Sequence, residues 1–167
     1  MSLRLKSSAF QNDREIPKRF TGEGEDISPT LQWSGVPVGT KEFVIICEDP
    51  DAPQPTPFVH WLLYNISPSI TFLSEGIPSW KEVDAPVRVQ QGKNSFGKIG
   101  YNGPFPPIGH GIHHYLFKLY ALNSTLAVPP GATKEELSKA MEGHILDAAQ
   151  LTGKFIRDSQ PRGASAR

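Results

Sequence analysis

The chain has 167 residues, 38% of them hydrophobic, and its 17 Lys and Arg balance its 17 Asp and Glu to a formal net charge of zero. That length suits one domain with a full core, and the balanced charge argues against a protein whose business is coating nucleic acid or anionic membrane. The single cysteine, Cys47, excludes an internal disulfide framework and fits a reducing, cytoplasmic setting.

The 16 prolines and 15 glycines cut most of the chain into short runs, the punctuation of an all-β domain. The expected strands are Leu3 to Ser7, Leu31 to Trp33, Phe43 to Cys47, Val59 to Tyr64, Val87 to Gln90 and His113 to Leu122. Met1 to Ser7 lacks the apolar core of a signal peptide, and no segment is long and apolar enough to span a bilayer. Cys47 sits in the run Phe43-Val44-Ile45-Ile46-Cys47 and reads as a small buried hydrophobe. Behind it, Asp49-Pro50-Asp51-Ala52-Pro53 sets two carboxylates and two rigid turns at a strand's end; alone, this is a solvated turn. Alternation in the next strand puts His60 with Phe58, Leu62 and Tyr64 on one face, where a histidine is as readily a hydrogen-bonded core residue as a ligand.

Gly92-Lys93-Asn94-Ser95-Phe96-Gly97-Lys98 matches the start of a phosphate loop. It fails at Ile99, where a hydroxyl would have to hold magnesium, and the Gly/Pro-rich segment beyond it cannot form the required helix. Next comes Tyr101-Asn102-Gly103-Pro104-Phe105-Pro106-Pro107-Ile108-Gly109-His110-Gly111-Ile112, a stiff loop running into the strand that begins at His113. Alternation puts His113, Tyr115, Phe117, Leu119 and Ala121 on its core face, with His114 and Lys118 opposite. His110 stands between two glycines, which leaves its direction unreadable. Towards the end, Thr133 and Glu136 form a capping-box pattern, and Leu137, Ala140, Met141, His144, Ile145 and Ala148 recur at helical spacing, with Gly143 as a break between two helices. His144 reads as a satisfied core-edge residue. One domain over residues 1–157 and a disordered tail over 158–167 complete the expectation. Paired zinc cysteines, a His-Glu-x-x-His pair and a Gly-x-Ser-x-Gly elbow are missing from the sequence, so no metal or cofactor is expected.

Taken together, Gly24-Glu25-Asp26-Ile27-Ser28-Pro29, Asp49 to Pro53, His60-Trp61 with Tyr64-Asn65-Ile66, Gln91-Gly92-Lys93-Asn94, Gly103-Pro104 through His113 and Tyr115, Pro129 to Thr133 and Glu142-Gly143-His144 resemble the phosphatidylethanolamine-binding protein (PEBP) family, in its bacterial and archaeal Raf-kinase-inhibitor-like branch. The resemblance runs in order from about residue 5 to 157. It implies a mainly β fold, a Greek-key β-sandwich of two antiparallel sheets with peripheral C-terminal helices. It also implies a small pocket for phosphate and similar anions, lined by Asp49, His60, Gly103, Pro104, His113 and Tyr115, with Asp51 in support. Where the family usually has Arg this chain has His114, and alternation turns that position away from the pocket. The implied partners are a phosphoryl head group and a protein target carrying a phosphorylated side chain, and related proteins are often homodimers. A binding module, a regulator of a kinase or another enzyme, is the expected function. The alternative is a hydrolase or metal-dependent enzyme built on the same His, Asp and Tyr groups.

Overall fold

The computed structural model describes residues 2–157, so the expectation for 158–167 lies outside the described residues. Along these residues run the strands β1 (Arg4–Lys6), β2 (Arg14–Glu15), β3 (Leu31–Ser34), β4 (Glu42–Asp49), β5 (Phe58–Ile66), β6 (Phe72–Leu73), β7 (Glu82–Val83), β8 (Val89–Gln91), β9 (His113–Leu122) and β10 (Ile145–Phe155), with helix α1 (Lys134–Met141) between the last two. They form a three-stranded sheet, β1-β3-β6, and a seven-stranded sheet, β2-β10-β9-β4-β5-β8-β7. Strand pairs are antiparallel except β2 with β10. In the large sheet β5 follows β4 as its antiparallel neighbour, and β9 returns by a long connection to lie on the other side of β4.

The large sheet is covered on both faces, and that shapes its central strand. Phe43, Ile45 and Cys47 of β4 pack with Phe117 and Leu119 of β9 against Leu5, Leu31, Trp33 and Leu73 of the small sheet. Val44 and Ile46 face the other way, under Leu137 and Met141 of α1 and Leu126 of the preceding loop. With no solvated side, β4 is buried at every position. The outer layer is pinned by Glu48, which accepts from Lys118 Nζ at 2.7 Å and from Lys134 of the helix. The two lysine contacts outweigh burial, which acts in the opposite direction, and hold the Glu48 carboxyl below its ordinary value.

The helix starts where expected, with Thr133 and Glu136 forming a capping box. It stops at Met141, and the second helix expected through Ala148 is absent: residues from Ile145 onward form the longest strand. Gly143 at φ 80° turns the chain, after which β10 pairs with β9 from Ile145 to Phe155. Burial of Leu151, Gly153 and Phe155 at every second position decides the outcome, since ten residues of ladder outweigh a weak helical stripe. His144 accordingly lies in the turn, beside the Asn123 side-chain oxygen at 3.0 Å, and not in a helical core stripe.

Candidate anion-binding site

One irregularity places the site. Cys47 of β4 pairs with Trp61 of β5, but the next residue, Glu48, pairs with Val59, so at this point β5 carries one extra residue, His60. This bulge defeats the simple alternation read from the sequence. His60 keeps Phe58 on its side, with ring centroids 5.2 Å apart, while Leu62 and Tyr64 turn to the helix face. His60 thus joins Tyr115 of β9, at 5.2 Å between centroids, instead of the outer layer. On the neighbouring strands Asp49 and His113 also point inwards, so three strands deliver Asp49, His60, His113 and Tyr115 to one cavity of about 250 Å³.

Each polar group is held in a definite way. Asp49 Oδ1 accepts the Asp51 backbone N–H at 2.7 Å, and Oδ2 lies 2.6 Å from His113 Nδ1. A carboxylate only accepts here, so the proton on that second contact belongs to His113. His60 Nδ1 lies 2.6 Å from the Asn102 carbonyl and must likewise be the donor. Burial pulls the His60 imidazole below its ordinary 6.5, overcoming the Asn102 carbonyl and the Asp49 charge, which favour the cation. The net effect favours the neutral form of His60. Tyr115 is 1% exposed, and burial, with Asp49 adding to it, pushes its phenol far up, so it remains an O–H. Among the described residues no group hydrogen-bonds to that hydroxyl.

The walls differ from those expected. Gly103 and Pro104 are buried behind the cavity and do not line it; Phe105, Pro106 and Pro107 do, with Phe58, Phe96, Ala52, Pro53 and Gln54 opposite. Gly103 is a glycine because a Cβ there would collide with the Phe20 carbonyl oxygen, and its N–H donates to Asp26 Oδ1 at 2.7 Å. Its backbone also favours the charged form of His60, so it acts on the site from behind. The Pro104 carbonyl takes the Gly22 N–H at 2.8 Å. Asp51 supports Asp49 through its backbone, while its carboxylate takes both the N–H and the ring Nδ1 of His114, each at 2.7 Å. Burial is opposed and outweighed by those contacts, which hold Asp51 below its ordinary value. His114, set aside in the sequence, thus buttresses the rim from outside.

Asp26, the two pocket phenylalanines Phe96 and Phe105, and His110 are participants that the sequence reading did not assign. The aromatics carried a signal, since each stands beside Gly or Pro in an otherwise polar or rigid loop. The phosphate-loop lookalike at Gly92 to Lys98 is a turn closed by the Lys93–Ile99 bridge and by Asn94, whose side-chain oxygen takes the N–H groups of Phe96 and Lys98. Among the described residues no group of three or more His, Cys, Asp or Glu is placed to hold a metal ion, and no helix is long and apolar enough to cross a membrane.

Residues 6–156 match the family described as phosphatidylethanolamine-binding protein. The chain is 52% identical over 157 residues to the UPF0098 protein of Pyrococcus horikoshii, covering 94% of this chain and 78% of that one. It is similar in structure to a phosphatidylethanolamine-binding protein homologue from Chlamydia trachomatis, with a TM-score of 0.84 and 40% identity over 94% of this chain and 99% of the other. Escherichia coli YbcL, described as a member of the mammalian PEBP family, gives a TM-score of 0.86 and 30% identity over 93% and 99% of the two chains. The family match runs from the end of β1 through β10, and the chain belongs to the phosphatidylethanolamine-binding protein family.

Proposed function

We propose that the cavity binds a small anion, a phosphoryl group either free or carried on a larger molecule, and that the protein acts through that recognition as a binding module. The observation that carries this reading is the meeting at one cavity of the Tyr115 hydroxyl, which has no hydrogen-bond partner among the described residues, and an imidazole that a carboxylate has already oriented. A hydroxyl that opens on the cavity and is not committed to another described residue is available to donate to a ligand oxygen. The aromatic and proline walls suit the organic part of a phosphate ester. A regulator of a kinase or another enzyme would use the same contact, by receiving a phosphorylated side chain of its partner.

Asp49 sets the electrostatics. A second negative charge beside it needs a proton, either on an imidazole or on the ligand, and the depressed His60 is the less favourable imidazole. Affinity therefore falls as pH rises through the range near ~6.5 where histidines ordinarily discharge. Calorimetric titration with inorganic phosphate tests the reading. Tyr115→Phe should weaken binding by roughly threefold to tenfold, the worth of one ordinary hydrogen bond, with the folded structure intact. Equal binding by Tyr115→Phe and the wild type would remove the proposal.

A further inference from the structure

The outer nitrogen of His113 is already engaged. While Nδ1 meets Asp49, Nε2 lies 2.8 Å from Nδ1 of His110, the loop histidine whose direction the sequence could not reveal. That second contact has room for one proton. In the neutral pair His110 Nδ1–H donates to the His113 lone pair; with one added proton, His113 Nε2–H donates and His110 accepts. A second added proton would set two N–H groups against each other and break the contact.

The two partners are mounted differently. His113 is 2% exposed and fixed in β9 between β4 and β10. His110 is exposed and lies between Gly109 at φ 80° and Gly111 at φ 84°, where an added Cβ would meet nothing within 4 Å. The flanking glycines permit the backbone change that a swing of His110 needs, against one hydrogen bond from the His110 N–H to the Pro107 carbonyl at 3.2 Å. The charged and titratable groups around the pair are few. Asp49 faces His113, with Tyr115 stacked at 6.4 Å, His60 of β5 lining the same cavity and Asp51 acting at longer range. On the loop side, Arg157 takes the Gly109 N–H on its carbonyl, while its guanidinium lies over Phe105 and reaches the Pro106 carbonyl and Glu23.

We propose that His110 is a displaceable cap on the anion site: it occupies His113 Nε2 until a phosphoryl oxygen takes its place, and one proton is bound as it leaves. This rests on the anion-binding reading above. The proton comes from solvent and ends on His113, which then donates to Asp49 through Nδ1 and to the anion through Nε2. His110 departs as a neutral imidazole. The cap makes the site selective, because a weak acceptor does not displace an imidazole already in hydrogen-bond contact, whereas a phosphoryl oxygen does.

The test is phosphate titration of the wild type, His110→Ala and His110→Gln in two buffers of different ionisation enthalpy, together with imidazole nitrogen NMR. His110→Ala should bind phosphate about threefold to tenfold tighter, since it no longer has a hydrogen bond to break. His110→Gln, whose amide can still reach His113, should fall between it and the wild type. Phosphate should convert His113 Nε2 of the wild type from an acceptor to an N–H, with uptake of about one proton. Wild-type binding with equal or weaker affinity in His110→Ala would overturn the cap alone, the weaker case making His110 a direct ligand. Failure of all three proteins to bind phosphate would overturn the anion reading and the exchange with it.

Discussion

Two adjacent residues of β4, Glu48 and Asp49, are both buried acids, at 4% and 3% exposure, and alternation sends them to opposite faces of the same sheet. Glu48 meets two lysines and ties the helix to the strands. Asp49 meets one imidazole and one backbone N–H, in a cavity whose lining, among the described residues, contains no lysine or arginine. The first charge is met by two ammonium groups, each tied into the scaffold by that contact. The second is met only by one imidazole N–H and one backbone N–H, at a cavity wall where a ligand can enter. Burial of a carboxylate therefore does not mark a site; the incomplete answer to its charge does.

Paired substitutions break this comparison most directly. Glu48→Ala leaves two partly buried ammonium groups facing each other and should cost about 2 kcal/mol in chemical denaturation, below the full cost of a wholly buried pair because the lysines still reach water. Phosphate binding should be untouched. Asp49→Asn should do the reverse, shifting stability by no more than about 1 kcal/mol while weakening phosphate binding by roughly tenfold, because His113 loses the carboxylate that orients its imidazole. If Asp49→Asn unfolds the protein and Glu48→Ala leaves it unharmed, the assignment of structure to one face and function to the other is wrong.

A smaller effect comes from His60. Its folded-state value lies below the 6.5 of an unhindered imidazole, so below that pH the unfolded chain takes the proton first. Stability from this group is complete above 6.5 and is lost as pH falls towards the folded value. Thermal melts between pH 7 and pH 5 should therefore show a shallower acid decline in His60→Gln than in the wild type; parallel curves would contradict the depressed imidazole. Smallest of all is Asp51, whose pairing with His114 is largely solvent-exposed. Asp51→Asn should cost at most about 0.5 kcal/mol at neutral pH, and that cost should shrink as pH falls below the ordinary 3.8 and vanish only once it has passed the lower value of the folded carboxyl. A larger cost in urea titration would mean that the rim holds the pocket open.

The sequence disclosed most where packing repeats simply. His113 to Leu122 alternates aromatic and aliphatic residues on one side with polar ones among those on the other, and both ends of β9 and the inward direction of His113 and Tyr115 could be read from it. Asp49 and His60 were legible as candidates because each closes or opens an apolar run. The face of His60 was not, because a bulge is set by how β5 packs on β4, and no residue in Phe58 to Ile66 announces it. β10 was hidden for a related reason: Ile145 and Ala148 fit a helix, while the alternation of Leu151, Gly153 and Phe155 gains meaning only once β9 is there to pair with. Gly103 carried a true signal that pointed to the wrong neighbour, a close approach to the Phe20 carbonyl and not to a ligand.

The extra residue at position 60 of β5 makes recognition separable from architecture. The pairings of β5 with β4 from Trp61 to Ile66 are indifferent to that inserted position, and only the side to which His60 points depends on it. Shortening β5 by that one residue would leave the sheet its full width while removing the only imidazole that faces Tyr115 from this strand. A lineage could thus keep the scaffold and silence the pocket in one deletion, or recover it in one insertion, without passing through an unfolded intermediate sequence.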